Sequence, residues 1–271
     1  MAFMTLPAPP PLRPFVDKLW DWHVAPGASF ALERVLPMPM VSVIINLAEE
    51  ETRAYSDDDV HTCERRPAAV LAGPQTRSII IDTDEQVAVM GVVFQPGGAA
   101  AFLRERLDGL CDREVGLEAL FGARARLLRE QLLEAPAAAQ RLVRLSDWLT
   151  RQVPRAGPAS PVSWALAALA REPTMARVAG LAHHCGLSER RLRALFNEQV
   201  GMSPKRYARV CRFRALIGHL HGGGPVEWAR LAVDAGLHDQ AHLVHEFKAF
   251  AGITPSAYLA RPRKDPMHVA L

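Results

Sequence analysis

The chain has 271 residues, 49% hydrophobic and 23% charged, proportions that exclude a disordered, a collagen-like and a coiled-coil sequence. Its length exceeds what one typical domain needs, and a net charge of +3 is too even to name a partner. Met1 to Phe15 carries Pro7, Pro9, Pro10, Pro11 and Pro14 and no cationic residue ahead of its apolar ones, unlike a secretory leader. Between Ala31 and Phe94 the pattern favours short strands. Val41 to Leu47, Ala69 to Leu71, Ser78 to Ile81 and Val87 to Phe94 are rich in β-branched residues. Turn signals at Glu49-Glu50-Glu51, Asp57-Asp58-Asp59, Gly73-Pro74 and Asp82-Thr83-Asp84 separate them, which suggests a small antiparallel barrel or sandwich. Arg65-Arg66 and the Glu49–Glu51 run are expected to be solvated loop charges.

After Pro96-Gly97-Gly98 the texture becomes helical. Ala99 to Arg106 and Leu117 to Phe121 read as short helices, Arg124 to Glu134 and Ala137 to Arg151 as longer amphipathic ones. Their leucine stripes suit either packing within the domain or a dimer interface. The longest uncharged run, Gln86 to Leu103, is broken by Gln95, Pro96, Gly97 and Gly98, so no transmembrane helix is expected. Three prolines between Pro154 and Pro161 mark the best boundary in the chain. The expected division is therefore 1–153 for a first domain, 154–161 for a linker, 162–260 for an all-helical domain and 261–271 for a frayed tail. The fold class is α+β overall.

The helical half contains a repeat. Gly186-Leu187-Ser188-Glu189-Arg190-Arg191-Leu192 stands beside Gly236-Leu237-His238-Asp239-Gln240-Ala241-His242-Leu243. Ala179, Leu181 and Ala182 match Ala229, Leu231 and Ala232 upstream. Downstream, Phe196, Gly201, Ser203, Pro204 and Tyr207 match Phe247, Gly252, Thr254, Pro255 and Tyr258. Each copy reads as a helix-turn-helix. A short helix (Ala176 to His184; Glu227 to Ala235) ends at a glycine suited to a left-handed C-cap, and Ser188 or Asp239 then caps the next helix. Leu192 with Phe196, and Leu243 with Phe247, fall at i and i+4 on one buried face. The opposite face carries Glu189, Arg190, Arg193 and Asn197 in the first unit and Gln240, Ala241, Val244 and His245 in the second. Arginine can hold guanine, and glutamine adenine, through paired hydrogen bonds in the major groove.

These two signatures, both ending in Ser/Thr-Pro-x-x-Tyr, resemble the AraC family of transcription regulators over roughly the last hundred residues. The resemblance implies that the second helix of each unit enters the major groove and that a linker helix, here Pro204 to Leu220, holds the units apart. Two such helices would reach successive groove segments about 34 Å apart. It also implies a cupin-like sensor barrel with dimerising helices in the first domain; Gly91 to Ala100 looks like a segment of such domains. Three positions depart from the family pattern: Ala194 and His245 stand where arginine is frequent, and Ala241 where serine is usual.

Base contacts are expected from Arg190, Arg193, Gln240 and His245. Backbone or secondary contacts are expected from Ser188, Glu189, Arg191, Asn197, Lys205, Arg206, Ala241, His242, Val244 and Lys248. Trp20, Trp22, His23 and Arg34, with Asp21 and Pro37 nearby, are candidate effector contacts, set against ordinary core packing. A metal-dependent cupin needs a His-x-His with a glutamate and a further histidine, whereas the first 160 residues hold only His23 and His61. His183-His184-Cys185 sits at a helix corner where neighbouring side chains diverge, so no metal and no cofactor are expected. Cys63, Cys111, Cys185 and Cys211 lack CxxC spacing, which fits a reducing cytoplasm; a redox or alkylation sensor at Cys63 or Cys111 is the sharper alternative.

The expected function is a cytoplasmic, sequence-specific regulator of transcription that is not an enzyme. Its partners would be a double-stranded DNA operator, a small-molecule effector, RNA polymerase if it activates, and a second copy of itself, with no membrane. The alternative is a small-molecule enzyme in the first domain with the helical half for targeting. Charge divides accordingly: residues 1–159 hold 17 basic and 21 acidic side chains, and residues 160–271 hold 15 and 8. The even total averages an acidic half with a basic one suited to nucleic acid.

Overall fold

A computed structural model describes residues 2–24, 32–55, 62–83, 86–103, 106–153, 161–174, 177–222, 226–262 and 265–271. The expected linker, apart from Pro161, lies outside the described residues, as do His61 and the Asp57–Asp59 turn.

In chain order the strands are β1 (Ala2–Pro7), β2 (Val16–His23), β3 (Leu32–Val35), β4 (Ser42–Asn46), β5 (Glu51–Tyr55), β6 (Cys63–Pro67), β7 (Ala69–Ala72), β8 (Ile79–Asp82), β9 (Ala88–Phe94), β10 (Glu114–Gly116) and β11 (His268–Ala270). They form two antiparallel sheets, ordered β1-β2-β9-β4-β7-β10 and β11-β3-β8-β5-β6. Of the two forms expected, barrel or sandwich, the sheets adopt the open one: they face each other without closing. Strand alternation decides what each face does. In the first sheet, Leu19, Val43, Ile45, Leu71, Met90, Val92 and Phe94 point outward onto helices, and the residues between them point toward the second sheet.

The helices are α1 (Leu117–Phe121), α2 (Ala123–Leu133), α3 (Ala138–Thr150), α4 (Pro161–Arg171), α5 (Val178–His184), α6 (Glu189–Val200), α7 (Pro204–His221), α8 (Trp228–Asp234), α9 (Gln240–Ala251) and α10 (Pro255–Ala260). Of the leucine stripes of α2 and α3, Leu128, Leu132, Leu142, Leu145 and Leu149 are buried against the first sheet, whereas Leu127 is exposed.

Three expectations are corrected. The helix expected over Ala99–Arg106 is a single 3-10 turn, Gly98–Ala101, followed by another at Leu107–Gly109. Phe102 leaves that turn at once to pack on Phe15 and Phe94, with ring centroids 5.6 and 5.4 Å away. Of the charges expected on loops, Glu49 and Glu50 are exposed between β4 and β5, but Glu51 opens β5, and Arg65 and Arg66 lie in β6. Arg65 pairs with Glu51 at 2.8 Å, and Arg66 with Glu114 at 2.6 Å. The tail expected to fray returns to the first domain, where β11 pairs with β3.

A buried ion pair joins β2 to α3. Both oxygens of Asp21 accept from the Arg141 guanidinium, at 2.7 and 3.2 Å, and His23 Nδ1 lies 2.9 Å from the same carboxylate. Asp21 and Arg141 are both buried, so neither charge can be left alone cheaply. Arg141→Ala is expected to cost about 3–5 kcal/mol in urea unfolding, whereas an Asp21→Leu/Arg141→Met double change recovers most of that loss.

Candidate nucleic-acid interface and ligand cavity

Each helix-turn-helix unit closes as its local sequence dictates. In the first, α5 ends before Gly186, whose φ of 63° only glycine adopts without strain. The Ser188 hydroxyl then accepts from the Arg191 N–H at 3.2 Å, capping α6. Leu192 and Phe196 are fully buried, and Arg190, Arg191 and Arg193 are exposed on the other side. Arg193 reaches back one turn to Glu189 at 2.5 Å, which holds its guanidinium along the exposed face. Asn197 is half-buried beside it. In the second unit, the Asp239 carboxylate accepts from the His242 N–H at 2.8 Å, and Leu243 and Phe247 are fully buried. Gln240, Ala241, His245 and Lys248 are exposed, and His242 and Val244 half-buried. Lys205 and Arg206 are exposed at the start of α7. The candidates on α6 therefore share one solvent-facing side, and so do those on α9.

At 18 residues, α7 is about 27 Å long and separates the units. Sequence reading missed one contact that ties α7 to the second unit. Arg209 makes a two-pronged ion pair with Glu246 of α9, at 2.7 and 3.1 Å, and lies over the Phe250 ring. Two residues so distant in sequence carry no local signal of that contact. His183-His184-Cys185 is explained by packing: the His184 ring stacks on Trp164 with centroids 3.7 Å apart, and the Cys185 thiol donates to the Pro161 carbonyl. Among the described residues no three histidine, cysteine or carboxylate groups come together as a metal site.

Both units are docked on the first domain. The end of α6 meets the two 3-10 turns. A methyl group on Gly201 would stand 2.8 Å from Pro74 and 2.9 Å from the Leu107 carbonyl. The C-terminal end of α9 accepts a hydrogen bond from that domain, Ser78 N–H to Phe250 C=O at 2.9 Å.

Between the two sheets lies a cavity of about 690 Å³. Its apolar walls come from Trp20, Trp22, Ile44, Val89, Ile79 and Ile81, and Lys18, Arg53, Glu33 and His268 are among its polar lining. Gly91 makes room for Trp20, because a Cβ there would stand 3.0 Å from the indole and 2.1 Å from the Val43 carbonyl. Of the four candidate effector contacts, Trp20 and Trp22 line this cavity. His23 and Arg34 are not among its walls. On β2, alternation turns His23 away with Asp21, and on β3 it turns Arg34 toward the Ser78 hydroxyl, 2.9 Å distant. Pro37, also named from the sequence, is buried and lines no wall. Burial and the neighbouring Asp112 carboxylate push the Cys111 thiol above its ordinary range, and burial does the same for Cys211, so neither is primed as a thiolate.

The chain is similar to two different families in its two halves. Residues 4–116 match a family described as a domain of unknown function, DUF6597, and residues 181–261 match a family described as a helix-turn-helix domain. The C-terminal domain is an AraC-type helix-turn-helix domain. Among solved structures, the chain is similar to ToxT from Vibrio cholerae at 11% identity and a TM-score of 0.49, over 96% of this chain and 98% of that one. It is similar also to unsaturated fatty acid bound wild-type ToxT from Vibrio cholerae strain SCE256, at 12% identity and a TM-score of 0.47, over 95% and 94%. No curated protein sequence matches the chain. No helix among the described residues is long and apolar enough to cross a membrane.

The AraC-type domain's seat on the first domain yields a prediction. Gly201 combines a φ of 82° with near-contact to Pro74, so Gly201→Ala should destabilise the chain by about 1–3 kcal/mol. Gly180, helical with open space around it, is the control. There the same change should be neutral or stabilising by up to about 1 kcal/mol, with urea midpoints giving both values.

Proposed function

We propose that the chain is a sequence-specific regulator of transcription that binds double-stranded DNA and holds a small, largely apolar effector between the sheets of its first domain. The observation that carries this reading is the paired arrangement of α6 and α9. Each is capped, each is anchored by a Leu-Phe pair, and each presents polar side chains suited to base edges. Arg190 and Arg193 have the donors for guanine, and Gln240 has both a donor and an acceptor for adenine. His245 lies one turn further along the exposed side of α9. Arg191, Lys205, Arg206 and Lys248, exposed around these faces, are suited to phosphates, with Ser188, Glu189, Asn197, Ala241, His242 and Val244 in secondary positions.

In this reading residues 1–153 sense the effector, 154–161 connect, and 162–260 bind the operator in the cytoplasm. The effector class follows from the walls of the cavity. Trp20, Trp22 and the isoleucines favour an apolar body, and Lys18, Arg53, Glu33 and His268 favour polar substituents on it.

DNA selected from a random pool by the full chain tests the proposal. On the selected site Arg193→Ala and Gln240→Ala should each cost about 1–3 kcal/mol, roughly 5–150-fold in affinity, and relax one base position, with little change on random DNA. Equal weakening on both DNAs would reassign those residues to the backbone. Log affinity should also fall steeply with log salt, and a flat plot would refute DNA binding.

A further inference from the structure

The cavity and the second helix-turn-helix unit share one wall. Along β3 and β11, Glu33, Val35, His268 and Ala270 face the cavity. Val269 between them, and Leu36 one step beyond, are fully buried in the core of the second unit with Phe213, Phe247 and Tyr258. The ladder is three residues long: His268 opposes Val35, Val269 opposes Arg34, and Ala270 opposes Glu33. It is flanked by bonds from the Leu36 N–H to the Met267 carbonyl at 2.8 Å and from the Leu271 N–H to the Leu32 carbonyl at 3.2 Å. On the cavity side His268 Nδ1 stands 3.1 Å from the Glu33 carboxylate. On the other side the Tyr258 hydroxyl, at the end of the AraC-type domain, donates to the Pro266 carbonyl at 3.0 Å.

We propose that this β3–β11 ladder is the element through which occupancy of the cavity acts on the second helix-turn-helix unit, a step that rests on the reading of the cavity as an effector site. Pro262, Asp265, Pro266, Met267, His268 and Ala270 form part of the cavity wall. A molecule touching them binds the paired ladder more tightly than a released one, and by linkage it stabilises the pairing. Release of β11 also withdraws Val269 from the core behind α9. Pairing and the mounting of the second unit are therefore one equilibrium. A three-residue edge ladder belongs to the low-stability end of a structure, where such equilibria are accessible.

The test locks and releases the ladder in the full chain. Glu33 and Ala270 oppose each other between the hydrogen-bonded pairs, where Cα atoms sit about 4.5 Å apart, within disulfide reach. Oxidised E33C/A270C is the locked form, its reduced state the control, and Val269→Asp the released form. Hydrogen exchange across α9 and affinity for the selected DNA are measured in each. The measurements are repeated with 8-anilinonaphthalene-1-sulfonate as an apolar anionic probe, and with Trp20→Ala as the site control.

Locking should slow exchange in α9, and Val269→Asp should speed it while β4 and β9 stay protected. DNA affinity should differ at least fivefold between locked and released chains. The probe should slow α9 exchange in the reduced chain and have no further effect in the oxidised one. If α9 exchange and DNA affinity ignore both locking and release, the ladder is not the coupling element, whether or not the probe binds. If locking and release act but no probe binds, the cavity reading falls and the occupancy step with it. Should no form bind DNA while α9 exchange still follows the ladder, the regulator reading fails and the mechanical coupling stands.

Discussion

The pairing of residues 268–270 with residues 33–35 holds the two halves of this protein to one another. Apart from it, the helical half meets the first domain where α6 abuts the 3-10 turns, where Leu166 and Gln199 come up to Gly97, where Arg206 reaches the Cys111 sulfur and where Ser78 meets the end of α9. With it, the chain's last residues complete a sheet that begins near its start, and the second unit gains core from outside itself. Burying Val269 and Leu36 contributes on the order of 1.5–3 kcal/mol each. That is a large share of the few kcal/mol by which domains are stable. Hydrophobic burial, more than three backbone pairs, holds the ladder shut.

The same alternation governs the rest of the first domain. Every strand of the first sheet that borders helices has two duties, because successive side chains face opposite ways. Trp20 and Trp22 line the cavity while Asp21, on the opposite face, forms a buried ion pair with Arg141 beneath α3, with the half-exposed His23 beside it. Ser42 and Ile44 face the cavity while Val43 and Ile45 build the core. The cavity is thus lined by the positions that the helices leave over, and its shape depends on how tightly the opposite face is packed. Gly91 shows the tolerance: the β4 backbone and the Trp20 ring both approach too closely for any side chain.

Much of the helical domain was legible because its signals are local. Ser188, Asp239, Gly186 and Gly236 stand within a turn of the structure they impose, and the Leu-Phe pairs fall at helical spacing. The exposed faces of α6 and α9 follow by subtraction. The first domain was less legible. Its four most β-branched runs appear as β4, β7, β8 and β9, but β1 runs directly into a proline-rich turn, and β2 and β6 are rich in charge. His23 and Arg34 looked like effector contacts by residue type, yet one residue of register turns each away from the cavity. Arg209–Glu246 and Arg141–Asp21 join residues 37 and 120 positions apart, and no periodicity announces them.

By itself, then, the sequence determined the two helix-turn-helix units, their caps and buried faces, the acidic and basic division of the chain, and the strand-rich character of residues 31–94. Each of these rests on interactions within a few residues or on composition. Only the tertiary structure decided that the sheets stay open around a cavity, which side chains enter it, and that the last residues form a strand rather than a tail. His268-Val269-Ala270 is too short and too plain to declare itself. It becomes a strand because β3 offers an unpaired edge, and because Val269 finds a dry core on the far side of that edge.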